Sequence, residues 1–334
     1  MHDAATGGML LILAGVMNGS FALPMKRMPR WEWENVWLVW SLLALVVMPL
    51  ATALACVPHL FSGLQEIPMT TLLPVVLCGA AWGVAQVLFG LSVVAIGMAL
   101  TFSLVLGISA ALGAVIPFLH FHEDLLWTRS GAFLFIGLGV LALGMALCAW
   151  AGALRERAAG GAAKAASIRF GLLLAIASGV CASSMNVGFS YAKELSVMAV
   201  RHGASPAGSA TAEWLPLLAG GAIPNLFYAA YLLRRGTAGR YLDVRTRWYW
   251  LLTMCMASLW FAGTTLYGVA SGMLGSLGAV LGWPVFMSIM VLVASLLGWM
   301  AGEWRGSGSR PVRVQFAGLI LLTAAVFLFS RAAV

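Results

Sequence analysis

Trp82-Gly83-Val84-Ala85-Gln86-Val87-Leu88-Phe89-Gly90 sets an aromatic, an amide and a second aromatic at i, i+4 and i+7. Trp260-Phe261-Ala262-Gly263-Thr264-Thr265-Leu266-Tyr267-Gly268 repeats that layout, with Thr for Gln and Tyr for Phe. At 3.6 residues per turn the three positions share one helix face. Each stretch is followed by a Gly-Met pair, Gly97-Met98 and Gly272-Met273, and ten residues beyond that glycine by another, Gly107 and Gly282. Four landmarks in one order, once in each half, predict an internal repeat.

Around these stretches the chain is 62% hydrophobic and 9% charged, against roughly 25% charged in a soluble domain. Its mean hydropathy is +0.96, which excludes a soluble globular fold. Apolar runs of about 20 residues each span a bilayer core of about 30 Å. Ten are expected, at 7–23, 36–57, 72–95, 98–119, 131–151, 170–190, 214–233, 248–270, 273–298 and 314–330. The fold class is therefore all-α integral membrane, with ten transmembrane helices in the lipid bilayer. The polar, Gly/Ala-rich segment 152–169 separates a first repeat (1–151) from a second (170–334). Five spans is an odd number, so the second half enters the membrane in the opposite sense. Inverted five-helix repeats of this kind recur in secondary transporters, with the substrate site near the midplane where the halves meet.

Charge gives the expected orientation. Fifteen of the nineteen Lys and Arg residues flank the odd-numbered connections between spans, which positive-inside counting puts in the cytoplasm, with both termini outside. The first run has Asp3 ahead of it, no Lys or Arg and no A-x-A-like cleavage site, so it reads as a retained helix rather than a signal peptide. The basic residues are dispersed among loops, which is no nucleic-acid signal. Cys56, Cys78, Cys148, Cys181 and Cys255 lie singly, without a C-x-x-C pair, and read as buried thiols.

No catalytic set is present, and no cofactor is expected. There is no G-x-S-x-G and no Walker-type loop. His120-x-His122-Glu123-Asp124 lacks the H-E-x-x-H spacing and falls where the fourth span meets water, so it reads as a solvated helix end and not a metal site. The expected span interiors hold no Asp, Glu, Lys or Arg, the residues that mark ion paths. They offer neutral groups: Asn18, Gln86, Ser103, Asn186, Asn225, Thr264 and Tyr267, with Trp82, Phe89, Trp260 and Trp283. Amides and hydroxyls bond sugar hydroxyls, and aromatic faces cover the apolar side of a sugar ring. Such a lining suits a neutral polyol better than a cation or an organic acid. Asn18 and Asn186 each begin an Asn-x-x-Phe, with Lys26 and Lys193 a few residues beyond; helix packing explains them as well as substrate contact does. Trp31, Trp33 and Trp37 read as interfacial anchors at the start of the second span.

These residues resemble the L-rhamnose–proton symporter family, within the drug/metabolite transporter superfamily. The likeness runs nearly end to end. It is clearest at Trp31-x-Trp33-Glu34-x-x-Trp37, Leu73-Pro74-Val75, Gly79-Ala80-x-Trp82-Gly83, Gly90-Leu91, Gly97-Met98, Gly220-Gly221-Ala222-Ile223-x-Asn225-Leu226, Trp260 with Tyr267, and Glu303-Trp304 leading to Arg310-Pro311-Val312. The resemblance implies proton-driven uptake of a deoxy sugar across the bacterial inner membrane. The chain departs from the family pattern at Gln86, Leu88 and Phe89, at Gly263 in place of a Gln, and at Ala279-Val280 in place of an Asp-Tyr pair. A carrier, facilitator or exporter, for another small neutral metabolite is the alternative. Proton coupling needs a titrating group, and with none inside a span the candidates are Glu34, His120 and Glu123. Glu34 comes first, because it lies in the family-like stretch and near Lys26.

Overall fold

Proline and glycine decide where the spans bend and where they touch. The computed structural model describes residues 2–158 and 165–332. Among them ten helices are long and apolar enough to cross a membrane, and no strand forms. In order they are Ala5–Arg27, Trp33–Cys56, Met69–Ile96, Leu100–Phe121, Arg129–Arg155, Ile168–Arg201, Pro206–Leu233, Val244–Met273, Gly278–Met300 and Ser309–Ala332. The second span contains a π-helical stretch, Leu42–Val47, immediately before Pro49. Proline lacks the amide and its ring crowds the carbonyl four residues back; a wider turn relieves both.

Three expectations need correcting. Helix Arg129–Ala158 runs well past residue 152 and the next helix starts at Ala165, so much of the segment read as a linker is helical. Residues 159–164 of that segment lie outside the described residues. The seventh span begins at Pro206, not 214: Ser205 is extended and its hydroxyl accepts the Gly208 amide at 3.1 Å, while Pro206 pre-sets the first turn. That earlier start brings Ser209, Thr211 and Glu213 inside, with Glu213 only 5% exposed. The spans therefore do contain a buried carboxylate. The third correction concerns the Trp cluster: Trp31 is buried, its ring edge-on to Tyr241 at 5.1 Å and Tyr249 at 5.6 Å, so it packs within the protein instead of anchoring at the interface.

The third span packs on the sixth and seventh, and the first packs on the eighth and ninth. The fourth touches the fifth, sixth and ninth; the fifth lies along the tenth, and the second along the seventh. Glycine sets the closest approach. A Cβ on Gly79 would lie 1.8 Å from the Leu217 carbonyl oxygen, and one on Gly220 would lie 2.1 Å from that of Val76. Backbone-to-backbone contact between the third and seventh spans is open only to glycine there.

Alternate connections gather at opposite ends. At one end, the odd end, Glu303 pairs with Lys26 and Arg155, Arg240 pairs with Glu32 at 2.9 Å, and Asn35 donates to the Thr237 carbonyl at 3.0 Å. At the even end His202 meets Glu66 at 2.8 Å, Thr71 donates to Glu194 at 2.6 Å, and His122 lies 3.1 Å from the Ser276 carbonyl.

Candidate functional site

The odd-end half of the bundle encloses a cavity of about 250 Å³ between the first, fourth, fifth, ninth and tenth spans. Its inner wall carries Asn18, Ser103, Met145, Cys148 and Ser295, with Gln315 donating to the Ser295 hydroxyl at 3.0 Å. Phe21, Phe102 and Trp304 supply ring surface. Arg155 and Glu303 close its outer edge, 3.0 Å apart, with the Arg155 guanidinium 5.1 Å from the centre of the Trp304 ring. The hydrogen bond from Lys26 holds the Glu303 carboxyl below the usual carboxylate range, opposed by partial burial; the Lys26 and Arg155 charges add to the lowering.

Of the ten residues expected to bind substrate, Asn18 and Ser103 line this cavity. Asn18 is buried and donates to the Trp260 carbonyl at 3.1 Å, tying the first span to the middle of the eighth. Trp260 stacks on Trp82, with ring centres 5.5 Å apart and planes 27° apart, and its other neighbour is Trp40, edge-on at 5.2 Å. The two repeated faces thus meet at their tryptophans. Phe89 lies behind the wall, its ring 5.0 Å from Phe102. Gln86 is half-buried and Thr264 buried.

Asn186, Tyr267 and Trp283 form a separate cluster towards the even end. Asn186 donates to the Gly113 carbonyl at 2.7 Å and the Ala279 carbonyl at 3.0 Å, and accepts from the Tyr267 hydroxyl. The Trp283 indole donates to the Ser109 carbonyl at 3.0 Å. Phe189 stacks on Trp214 at 4.6 Å, and the Tyr267 ring packs against Phe189, Trp283 and Phe286. Five spans, the fourth and the sixth to ninth, are joined by this cluster, and none of its members lines the cavity.

The coupling candidates lie apart from both clusters. Glu34 accepts from the Thr237 hydroxyl at 2.8 Å, while Lys26, its expected partner, is taken by Glu303. His120 and Glu123 are exposed at the even end, with the His120 ring 5.2 Å from Tyr191. The residues that sequence reasoning passed over are Arg155, Ser295 and Gln315 on the cavity wall, and Glu213. Glu303-Trp304 stands out in the sequence only as part of a family-like stretch.

A profile of the L-rhamnose-proton symport protein (RhaT) family matches residues 1–332. The chain belongs to that family. Its curated relatives include the L-rhamnose-proton symporter of Salmonella dublin, 27% identical over 337 residues that make up 97% of each chain. The L-rhamnose-proton symporter of Escherichia coli O1:K1 is 26% identical over the same extent. Membership runs through both regions described above: Glu303-Trp304 at the cavity edge, and the stacked Trp82 and Trp260, all lie within the matched length.

Proposed function

We propose that this chain is a secondary carrier that takes up an L-rhamnose-like deoxy sugar together with a proton, by alternating access. The observation that carries this reading is the cavity: about 250 Å³, below the roughly 300–1,000 Å³ of drug-sized sites, neutral on its inner wall and reached from one end. Asn18, Ser103 and Ser295 present the amide and hydroxyl groups that a sugar ring needs, and Phe21 and Phe102 present apolar faces. Family membership and the names of the relatives support rhamnose, the proton and a transporter in place of an enzyme.

The ten spans are read as two inverted repeats of five, as in the drug/metabolite carriers, with the division between 151 and 170. Packing supports it. Third on sixth is matched by eighth on first, fourth on sixth by ninth on first, and third on seventh by eighth on second. Each pair becomes the other when five is added to or subtracted from the span numbers. The rings follow: Phe21 faces Trp40 at 5.9 Å and Phe189 faces Trp214 at 4.6 Å, and both tryptophans have a buried, unpartnered indole N–H.

With fifteen of nineteen basic residues flanking its connections, the odd end is the cytoplasmic one and both termini lie outside, in a bacterial inner membrane. The cavity then faces inward. Asn18 and Ser103 touch sugar, Trp82 and Trp260 form the inner limit with Gln86, Phe89 and Thr264 behind it, and Asn186, Tyr267 and Trp283 shut the outer end. The test is uptake of labelled L-rhamnose into proteoliposomes with and without an inward proton gradient. Accumulation only with the gradient is expected; entry that ignores the gradient overturns symport, and no entry overturns the substrate.

A further inference from the structure

Glu213 is the only Asp or Glu side chain that is fully buried among the described residues. It sits near the Pro206 start of the seventh span, in the even-end half, and does not line the sugar cavity. The short helix Lys193–Arg201 packs against this part of the seventh span and turns Lys193 and Ser196 towards it. The Ser196 hydroxyl also lies 2.8 Å from that of Ser209, one turn before Glu213. From the eighth span, Tyr267 is near enough to feel the Glu213 charge. No other titratable group faces the carboxylate among the described residues. Cys56 of the second span approaches Gly208, more than a turn away, Cys78 of the third span sits against Gly188, and Glu194 and His202 are engaged with Thr71 and Glu66.

A carboxylate kept out of water in a bilayer is costly. The adjoining Trp214 indole N–H is itself buried without a partner. A lone buried acid beside one exposed lysine is the arrangement expected of a group that spends part of a cycle neutral.

We propose that Glu213 is the proton-binding site of the transport cycle. One proton adds to a carboxylate oxygen from water at the even end, giving the neutral acid, and leaves to water at the other end; no other bond changes. The charge is read by Tyr267, whose hydroxyl is held by Asn186, and Tyr267 shares its helix face with Trp260, whose carbonyl accepts from Asn18 on the cavity wall. Ionised, Glu213 favours a hydrated, open even end, from which the proton enters. Neutral, it can be buried as it is here, with the even end shut and the odd end open for release. The assignment rests on the symport reading and names its site; it displaces Glu34, His120 and Glu123 as the coupling group.

In proteoliposomes, the parent protein is expected to accumulate labelled L-rhamnose against its gradient and to alkalinise the outside medium when rhamnose is added. Glu213→Gln is expected to lose accumulation and proton movement at least tenfold, while exchange of labelled for unlabelled rhamnose at equal pH stays within about threefold of the parent (within about 0.7 kcal/mol at 1.4 kcal/mol per tenfold). Glu213→Asp restores both. A proton-moving parent whose Glu213→Gln variant still moves protons overturns this assignment alone. A parent that exchanges rhamnose without moving protons overturns symport and the assignment with it. A folded Glu213→Gln that loses exchange as well makes Glu213 structural and overturns the proposal. Should Glu213→Gln not fold, Lys193→Met decides: removing the facing cation must move the pH midpoint of uptake to the alkaline side, and an unmoved profile overturns it.

Discussion

The two halves of this bundle are closed by different means. Towards the even end, Asn186 and Tyr267 spend their polar atoms on one another and on carbonyls of the fourth and ninth spans, within a shell of stacked rings. Towards the odd end a cavity is left open, and the groups at its edge are ions in contact with water: Glu303, Lys26 and Arg155 keep 38%, 52% and 25% of their side-chain surface. Buried hydrogen bonds are lost at the cost of desolvated orphans, about 1–3 kcal/mol each. Exposed ion pairs contribute about 0–1 kcal/mol. The even end is thus a strong, all-or-none closure, and the odd end a weak one that can open and shut often.

The largest expected effect comes from breaking the strong side. Asn186→Leu leaves the Gly113 carbonyl without its partner and reduces the Ala279 carbonyl and the Tyr267 hydroxyl to the long bond between them at 3.3 Å. The expected outcome is a shift of the conformational equilibrium by about 1–3 kcal/mol, roughly 5- to 150-fold, towards an open even end. Labelling of a cysteine placed at Ser271 with an impermeant maleimide supplied at the even end checks it. An unchanged labelling rate would mean that the net is ordinary packing. Asn18→Ala is next, acting on the cavity side. It removes an amide that lines the cavity and fastens the first span to Trp260. Rhamnose affinity is expected to fall by about 1–2 kcal/mol, about 5- to 30-fold, as read by tryptophan fluorescence titration.

How much of this comparison was readable beforehand follows from helix geometry. Ten spans are legible because lipid-facing runs must be apolar all round. The meeting of Trp82 with Trp260 is legible too, since a repeated i, i+4, i+7 face marks one side of each helix. Its limit is depth. Residues seven apart on a helix differ by about 10 Å along its axis, so Trp260 meets Trp82 and holds Asn18 of the cavity wall through its carbonyl, while Tyr267, on the same face, belongs to the closed end. A shared face does not fix a shared depth. Glu213 escaped notice for a related reason: Ser209–Glu213 is polar enough to look like loop, and it is helix because Ser205 and Pro206 start it early and the bundle, not lipid, covers it. Arg155, Glu303 and Gln315 come from three separate spans and loops, and no local pattern unites them.

A smaller effect sharpens the position of the opening. Cys148 is a native thiol on the cavity wall, whereas Cys255 is exposed on the outside of the bundle. With Cys56, Cys78 and Cys181 replaced by Ala, Cys148 is expected to react with a maleimide supplied at the odd end, and saturating rhamnose to slow it several-fold. Cys255 should be indifferent to the sugar. Protection of both, or of neither, would place the substrate elsewhere.

The smallest expected effect belongs to the ion triad, and it carries a sign in pH. Glu303→Gln removes two exposed ion pairs at the cavity edge, worth about 0.2–1 kcal/mol in such surroundings, so the odd end should open about 1.5- to 5-fold more readily. The Glu303 carboxyl lies below its ordinary value because Lys26 donates to it. A carboxylate whose native value is depressed contributes fully above its unfolded value, and the contribution is lost as pH falls through the native one. For Glu303 that loss therefore occurs on the acid side of the ordinary carboxylate range, well below neutrality. Cys148 labelling in the parent should be flat in pH through the neutral range as far as this triad is concerned, and Glu303→Gln should raise the labelling without adding a slope there. If Glu303→Gln removed a neutral-range pH dependence of uptake, the weak closure would be the proton sensor, and the division of labour between the two ends would have to be reversed.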